Sequence, residues 1–327
     1  MSLRSVSIAI AALFLLTCLD RAEAYEAGFP GWQQKPGLTL GGGSAGAPPP
    51  GIYMFDQFLG YTAHLVGPTA PNVNGTPAQI RTQTASVGFL FVPGWEFLGA
   101  TYNAVIVQPF VSSSLSTPVN LQVAGVHNTY LVPAELSWKL GQSGFFVKAG
   151  LGIYVPDGSS FGPTGLLNVG NPWYTFQPEF VVSYLKNGWN FTANIFEEFN
   201  TRNTITDYRS GNILHAEFTA TKTIDKWTLG PIAYYAGQVT SDQSSAYYKN
   251  VINTQSYDIW AVGARVSYDF GPVALNVWGL KEVSTRVVGA TPFIGSAPNG
   301  TTIYASLSYK IWSFDAPQTP MVPLIRK

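Results

Sequence analysis

Between residues 172 and 240 apolar and polar residues exchange places at nearly every step, and few folds accept that pattern for so long. Tyr174, Phe176, Pro178, Phe180, Val182 and Tyr184 alternate with Thr175, Gln177, Glu179 and Ser183. Side chains of a strand point to opposite faces in turn, so one face is apolar and the other polar. After Lys186-Asn187-Gly188 the alternation resumes, with Trp189, Phe191, Ala193 and Ile195 against Asn190, Thr192, Asn194 and Glu198. Two such strands joined by a short Asn-Gly turn form a hairpin. In a soluble sandwich the apolar face would be the core. In an outer-membrane barrel it meets lipid, aromatic residues sit at the two interfaces, and the polar face lines the lumen. One hairpin is compatible with both, and the rest of the chain separates them.

Charged residues make up only 11% of the chain and aromatics 14%, whereas a soluble domain averages about 25% charged. Much of the surface must therefore face something other than water. Beyond the N-terminus no apolar run approaches the length of a spanning helix, so a helical membrane protein is excluded. Closed barrels are the other structure that satisfies every backbone group in lipid. Lys plus Arg equal Asp plus Glu at 18 each, which argues against a nucleic-acid partner. Residues 1–24 read as a secretory signal: Arg4, an apolar run from Ile8 to Leu16, and Ala22-Glu23-Ala24 as the cleavage site. Cys18 would be discarded with it, leaving no thiolate for catalysis or metal binding. No cofactor and no metal are expected.

Residues 25–50 are rich in Gly and Pro and without periodicity, which predicts an irregular segment, either a periplasmic tail or a plug in the lumen. Residues 51–312 divide into about twelve strands with alternately short and long connections, an all-β, antiparallel up-and-down transmembrane barrel. In the first strand, 51–66, Tyr53, Phe55, Leu59, Tyr61 and Ala63 are expected outward, and Asp56, Thr62 and His64 inward. Residues 112–125 are expected to form a long loop. The fourth strand shows clean alternation, predicting Tyr130, Val132, Ala134, Leu136 and Trp138 outward and Glu135, Ser137 and Lys139 inward. Pro178 and Pro231 remove ladder donors, marking either a bulge or a lateral opening. Residues 313–327 form a C-terminal tail.

Several stretches also resemble a known family: GGGSAGAPPPG, WYTFQPEFVVSYL followed by KNGW, FNTRNTITDYRSGNILH, and KTIDKWTLGPIAYYAGQVTSD. They are similar to the SphA-like outer-membrane proteins of the meta-pathway phenol-degradation family, with Asp207-Tyr208-Arg209-Ser210-Gly211 the most specific part. The resemblance implies an outer-membrane barrel of a Gram-negative bacterium that admits aromatic or other hydrophobic compounds.

The polar residues expected to line the lumen are Asp56, His64, Glu135, Lys139, Lys148, Glu179, Glu198, His215, Glu217, Arg265, Glu282 and Lys310. They form either a permeation path or mutually satisfied pairs filling a narrow barrel, since charges taken from water need partners. Phe58, Phe146, Tyr154, Phe196, Tyr234 and Trp278 are candidates for an aromatic solute path, or else packing for a plug. No motif of nucleophilic or metal-assisted hydrolysis occurs, and no histidine pairs with an outward serine, so an enzyme is not expected. Two functions remain: a passive channel for small hydrophobic or aromatic compounds, or a sealed barrel with a structural or surface-interaction role. The partners expected are membrane lipid and lipopolysaccharide and a small hydrophobic or aromatic solute.

Overall fold

The computed structural model describes residues 26–314, apart from 27, 69, 71, 117–119, 165–166, 252–255 and 289–295. The segment expected to be a secretory signal, 1–24, and the residues beyond 314 lie outside the described residues. Twelve long strands form one antiparallel sheet: β1 (Gly51–Val66), β2 (Gln79–Val92), β3 (Ala100–Ser116), β4 (Tyr130–Lys139), β5 (Phe145–Tyr154) and β6 (Thr175–Lys186). They continue with β7 (Trp189–Asn200), β8 (Ile213–Ile224), β9 (Trp227–Gln238), β10 (Ser256–Asp269), β11 (Val273–Val288) and β12 (Ala297–Ser313). Each pairs with its sequence neighbours, and β1 pairs with β12 from Gly51↔Ser313 to Val66↔Ala297, closing the barrel. Closure leaves no edge, as a lipid environment requires.

From β6 to β12 the two-residue period holds apart from one bulge at Val283 in β11, where Trp260 pairs with Ser284 and Ala261 with Glu282. Phe176, Phe180, Val182, Trp189, Phe191, Leu229, Trp260, Val262, Val277 and Ile303 stand exposed on the outside. At the end where short turns lie, aromatics pack edge to edge or stacked along the wall: Phe145–Tyr184, Trp189–Phe191, Trp227–Tyr268 and Tyr268–Phe270. This is the interfacial belt of a transmembrane barrel. The β6–β7 turn has only two residues outside the ladder, Asn187 (φ 53) and Gly188 (φ 76). Positive φ at both makes the type I′ geometry whose twist matches a hairpin. Pro178 and Pro231 face outward, and the pairings on either side of each keep one register, so neither sits in a bulge.

The arc β1–β5 departs from expectation in three places. In β1 the phase is reversed: Leu59, Tyr61 and Ala63 are buried inside, while Phe58 is 52% exposed and His64 is exposed on the outer face. Asp56 shares that outer phase, opposite Leu307 and Val87. Asp56, His64 and Phe58 are therefore not lumen residues. The cause is that the lumen here is not polar: Leu59, Tyr61 and Ala63 join Leu40, Tyr234, Trp278, Leu280 and Tyr304 in the hydrophobic core, which lies within the barrel.

In β4 the register slips by one residue between Leu131 and Glu135. The bulge puts Tyr130 and Val132 inside together with Glu135 and Ser137, correcting the outward placement of the first two. An extra residue in one strand of a pair reverses the phase beyond it. Residues 112–125 are not a loop: β3 runs on to Ser116 and pairs with Leu121–Val126. The connection after β1 carries its own small hairpin, Asn72–Val73 with Thr76–Pro77.

Candidate functional site

The lumen is crossed from end to end by the residues preceding β1. At the long-loop end the Glu26 carboxylate accepts hydrogen bonds from Asn203 Nδ2 (2.7 Å), Thr206 Oγ1 (2.7 Å) and Tyr248 OH (2.6 Å). Its backbone N–H donates to Ser210 Oγ (3.2 Å). At the short-turn end Pro49 and Pro50 carbonyls accept from Tyr53 OH and Lys310 Nζ. Between these ends the backbone is irregular apart from one 3₁₀ turn, Leu38–Gly41. Its N–H groups therefore need partners from the wall.

Three wall carboxylates supply them. Glu198 on β7 accepts from the N–H groups of Gln33 and Gln34, both at 3.0 Å, and lies 3.2 Å from His215 Nε2. On β8, Glu217 accepts from Gly37 N (2.6 Å), Thr39 N (3.2 Å) and Thr39 Oγ1 (2.5 Å). Glu282 on β11 accepts from Lys35 Nζ (3.1 Å), Tyr61 OH (2.9 Å), Tyr234 OH (2.7 Å) and Gly300 N (2.5 Å). Each buried carboxylate is thus satisfied by several donors, which is what holding a charge away from water demands.

Lys35 is the only cation of the 26–50 stretch. Its ammonium sits 4.0 Å from the Tyr61 ring centroid and 4.6 Å from that of Trp32, with Glu282 as counter-ion. Burial pulls the Lys35 amine below its ordinary value, and Glu282 opposes that shift. Aromatic faces attract a desolvated ammonium, so this lysine is doubly held.

Donors from the wall reach the carbonyls in turn: Tyr304 OH to Pro36 O (2.7 Å), Trp278 Nε1 to Gly37 O (2.9 Å), Gln57 Nε2 to Leu38 O (3.0 Å) and Tyr257 OH to Gly31 O (3.1 Å). His127, between Val126 and β4, places Nδ1 2.7 Å from Val169 O and Nε2 3.0 Å from Gln33 O. Burial pushes its imidazole below the ordinary value, while the two carbonyls favour the protonated ring. Nearer the short-turn end Ala45 N donates to Ser183 Oγ (2.8 Å), and Ser137 Oγ donates to Ala45 O.

The other expected lumen residues sort clearly. Lys148 joins Glu135 (3.0 Å) and Glu179 (3.8 Å) in a separate buried triad on β4, β5 and β6. Lys139 and Lys310 are exposed near the short-turn rim. Arg265 is buried and bonded to neutral groups only, Ser267 Oγ (2.8 Å), Asn276 Oδ1 (2.7 Å) and Leu40 O (3.4 Å). Among the aromatics, Phe196 stacks on His215 and Trp278 on Tyr304, while Tyr154 meets Tyr130. Tyr234 grips Glu282, and Phe146 lies on the inward phase beside Ser183.

Alternation and composition alone do not single out Glu26, Lys35, Thr39, His127, Tyr61, Tyr257 and Tyr304 as residues of the site. Glu26 and Lys35 had a visible signal, being the only ionisable acid and base between 26 and 50. Tyr61 had none, because it read as an outward aromatic, whereas Tyr304 falls on the inward phase between Ile303 and Ala305, and Tyr257 on that of Gly263 and Arg265. In the segment Asp207–Gly211, Tyr208 OH donates to Asp242, Gly211 N donates to Asp242 Oδ1 (2.7 Å), and Ser210 holds Glu26. This stretch therefore fastens an external loop to the start of the threaded segment.

No functionally curated protein matches the chain in sequence. Among solved structures, the COG4313 outer membrane channel from Pseudomonas putida F1 superposes with a TM-score of 0.67 at 12% identity, over 82% of this chain and 98% of that one. The toluene transporter TodX from Pseudomonas putida superposes with a TM-score of only 0.41 at 11% identity, over 89% and 99% of the two chains. At such identities the first likeness speaks to the fold, and the second carries no weight. Residues 65–291 match the family described as "Putative MetA-pathway of phenol degradation", and as they make up more than half of the chain, it belongs to that family.

Proposed function

We propose that this protein is a passive channel of the Gram-negative outer membrane for small hydrophobic or aromatic compounds bound for catabolism, of the SphA-like kind. The observation that carries this reading is how unevenly the threaded segment is held. Its hydrogen bonds go to β1, β4 and the arc β5–β11, with Tyr304 added from β12. Among the described residues none joins it to β2 or β3. There the lumen face presents hydroxyls, Thr82, Thr84, Ser86 and Ser113, with Thr82 and Ser113 bonded to each other (2.9 Å). A neutral, unclaimed wall beside a fixed segment suits a neutral solute better than an ion, since no carboxylate needs to be uncovered for it to pass.

In this reading residues 26–50 act as a plug that narrows the barrel, and the lumen carboxylates are its anchors. An enzymatic role finds no support, because the hydroxyls that meet buried acids, Thr39 on Glu217 and Thr206 on Glu26, serve to hold the threaded segment. The test is conductance of refolded protein in a planar bilayer, followed by titration with phenol. Current steps that phenol reduces in a saturable way support the channel. Stable insertion without current, together with no phenol uptake into proteoliposomes, would leave the sealed structural barrel instead.

A further inference from the structure

The short-turn end of the lumen holds a cavity of about 360 Å³, lined by Leu185, Lys186, Asn190, Thr223, Thr228 and Arg265 among others. It opens on the side where β6–β7 and β8–β9 turn. The threaded segment runs past the cavity's edge, where Gly46 lies against Leu185 and Phe146, and leaves the barrel with Pro50 against Lys310. At the inner end stands Arg265, 8% exposed, with no carboxylate in contact among the described residues. Every other buried charge described in the lumen wall has either an ion partner or three or more donors; this guanidinium has only neutral acceptors. The lining contains no acid, and Lys186 adds a second positive charge at the mouth.

We infer that this vestibule is a binding site for a small monocarboxylate, seated on Arg265. A guanidinium with neutral neighbours retains its charge, and a planar carboxylate is the ligand its fork matches best. One buried positive charge is neutralised by one negative charge, so a monoanion fits where a phosphate dianion would leave a surplus in a desolvated place. Thr223, Thr228 and Asn190 offer hydroxyl and amide donors around the same space. Lys186 raises the local concentration of anions at the entrance. Binding here relies on the channel reading only for where an aromatic acid would come from.

The experiment measures binding without flux, so a silent bilayer and an empty vestibule are separate failures. Benzoate and its neutral analogue benzyl alcohol are titrated against the detergent-folded chain from residue 25 onward and followed by NMR line broadening. Benzoate is expected to bind saturably. Arg265→Gln weakens it about tenfold or more, the loss expected when a charged hydrogen-bond partner goes, and leaves benzyl alcohol unchanged. Lys186→Glu, at an exposed position where the side chain's one hydrogen bond is to Gln142 O, weakens benzoate about threefold. The inference is overturned if benzoate does not bind, if the two compounds titrate alike, or if folded Arg265→Gln keeps full affinity. Should Arg265→Gln fail to fold, unchanged benzoate affinity in Lys186→Glu overturns it.

Discussion

The two arcs of this barrel use the same strand geometry for different ends. From β6 to β12 the wall is apolar outside, keeps its phase but for one bulge beside Glu282, and is armed inside with Glu198, Glu217 and Glu282, which grip the threaded segment by its backbone N–H groups and by Lys35. From β1 to β5 the wall is reversed in phase at β1, bulged in β4, extended into an extra hairpin after β3, and lined by hydroxyls on β2 and β3. Bulges occur in both arcs, so what separates them is where the segment's buried carboxylate anchors stand. A plug bonded evenly all round would seal the lumen, whereas this one, among the described residues, leaves β2 and β3 without a hydrogen bond to it.

If the holding arc is what fixes the segment, removing its anchors should release it, and the ion pair should matter most. Glu282→Ala strips Lys35 of its counter-ion while two tyrosine hydroxyls lose their acceptor. Breaking a buried pair this way costs about 3–5 kcal/mol. Hydrogen exchange at the amides of residues 31–40 in the detergent-folded protein should accelerate accordingly, and unchanged protection would mean that the anchor lies elsewhere. Glu217→Ala leaves the N–H groups of Gly37 and Thr39 without acceptors, worth about 1–3 kcal/mol, so the same amides should speed up by a smaller factor.

The irregular arc makes a smaller claim on stability and a sharper one on shape. A side chain added at Gly152 would run into the Tyr130 ring, which is on the inside only because of the bulge in β4. Gly152→Leu should therefore destabilise the barrel by about 1–3 kcal/mol, seen as a lower temperature for loss of the folded band on a gel. A variant as stable as the parent would place Tyr130 outside. The reversed phase of β1 predicts no energetic effect at all. Cysteines at Phe58 and Leu59 should label oppositely, Phe58→Cys with a lipid-soluble maleimide in liposomes and Leu59→Cys not.

How much of this was legible in the sequence follows the same division. Where the lumen is polar, as behind Glu179, Glu198, Glu217 and Arg265, alternation named the inward residue and the strand together. It failed at β1 because polarity was taken as the mark of the lumen, and there the lumen receives Leu38 and Leu40, so it is Leu59 and Tyr61 that point inward. It failed at Tyr130 and Val132 because a bulge is one residue in length and leaves no composition signal. The triad Glu135–Lys148–Glu179 could be expected as a set of inward charges, but its pairing needed the register of three strands. The partners of Glu198 and Glu217 could not be read at all, being backbone N–H groups of an irregular segment, which any sequence carries.

The central claim is that residues 26–46 occupy the lumen and leave a passage beside them, and single-channel conductance tests it most directly. Refolded protein should give small, stable current steps in a planar bilayer, and removal of residues 26–46 should raise them several-fold while the barrel keeps its heat-resistant fold. Equal conductance with and without the segment would contradict the account, since it would mean that the segment neither fills the lumen nor sets its width.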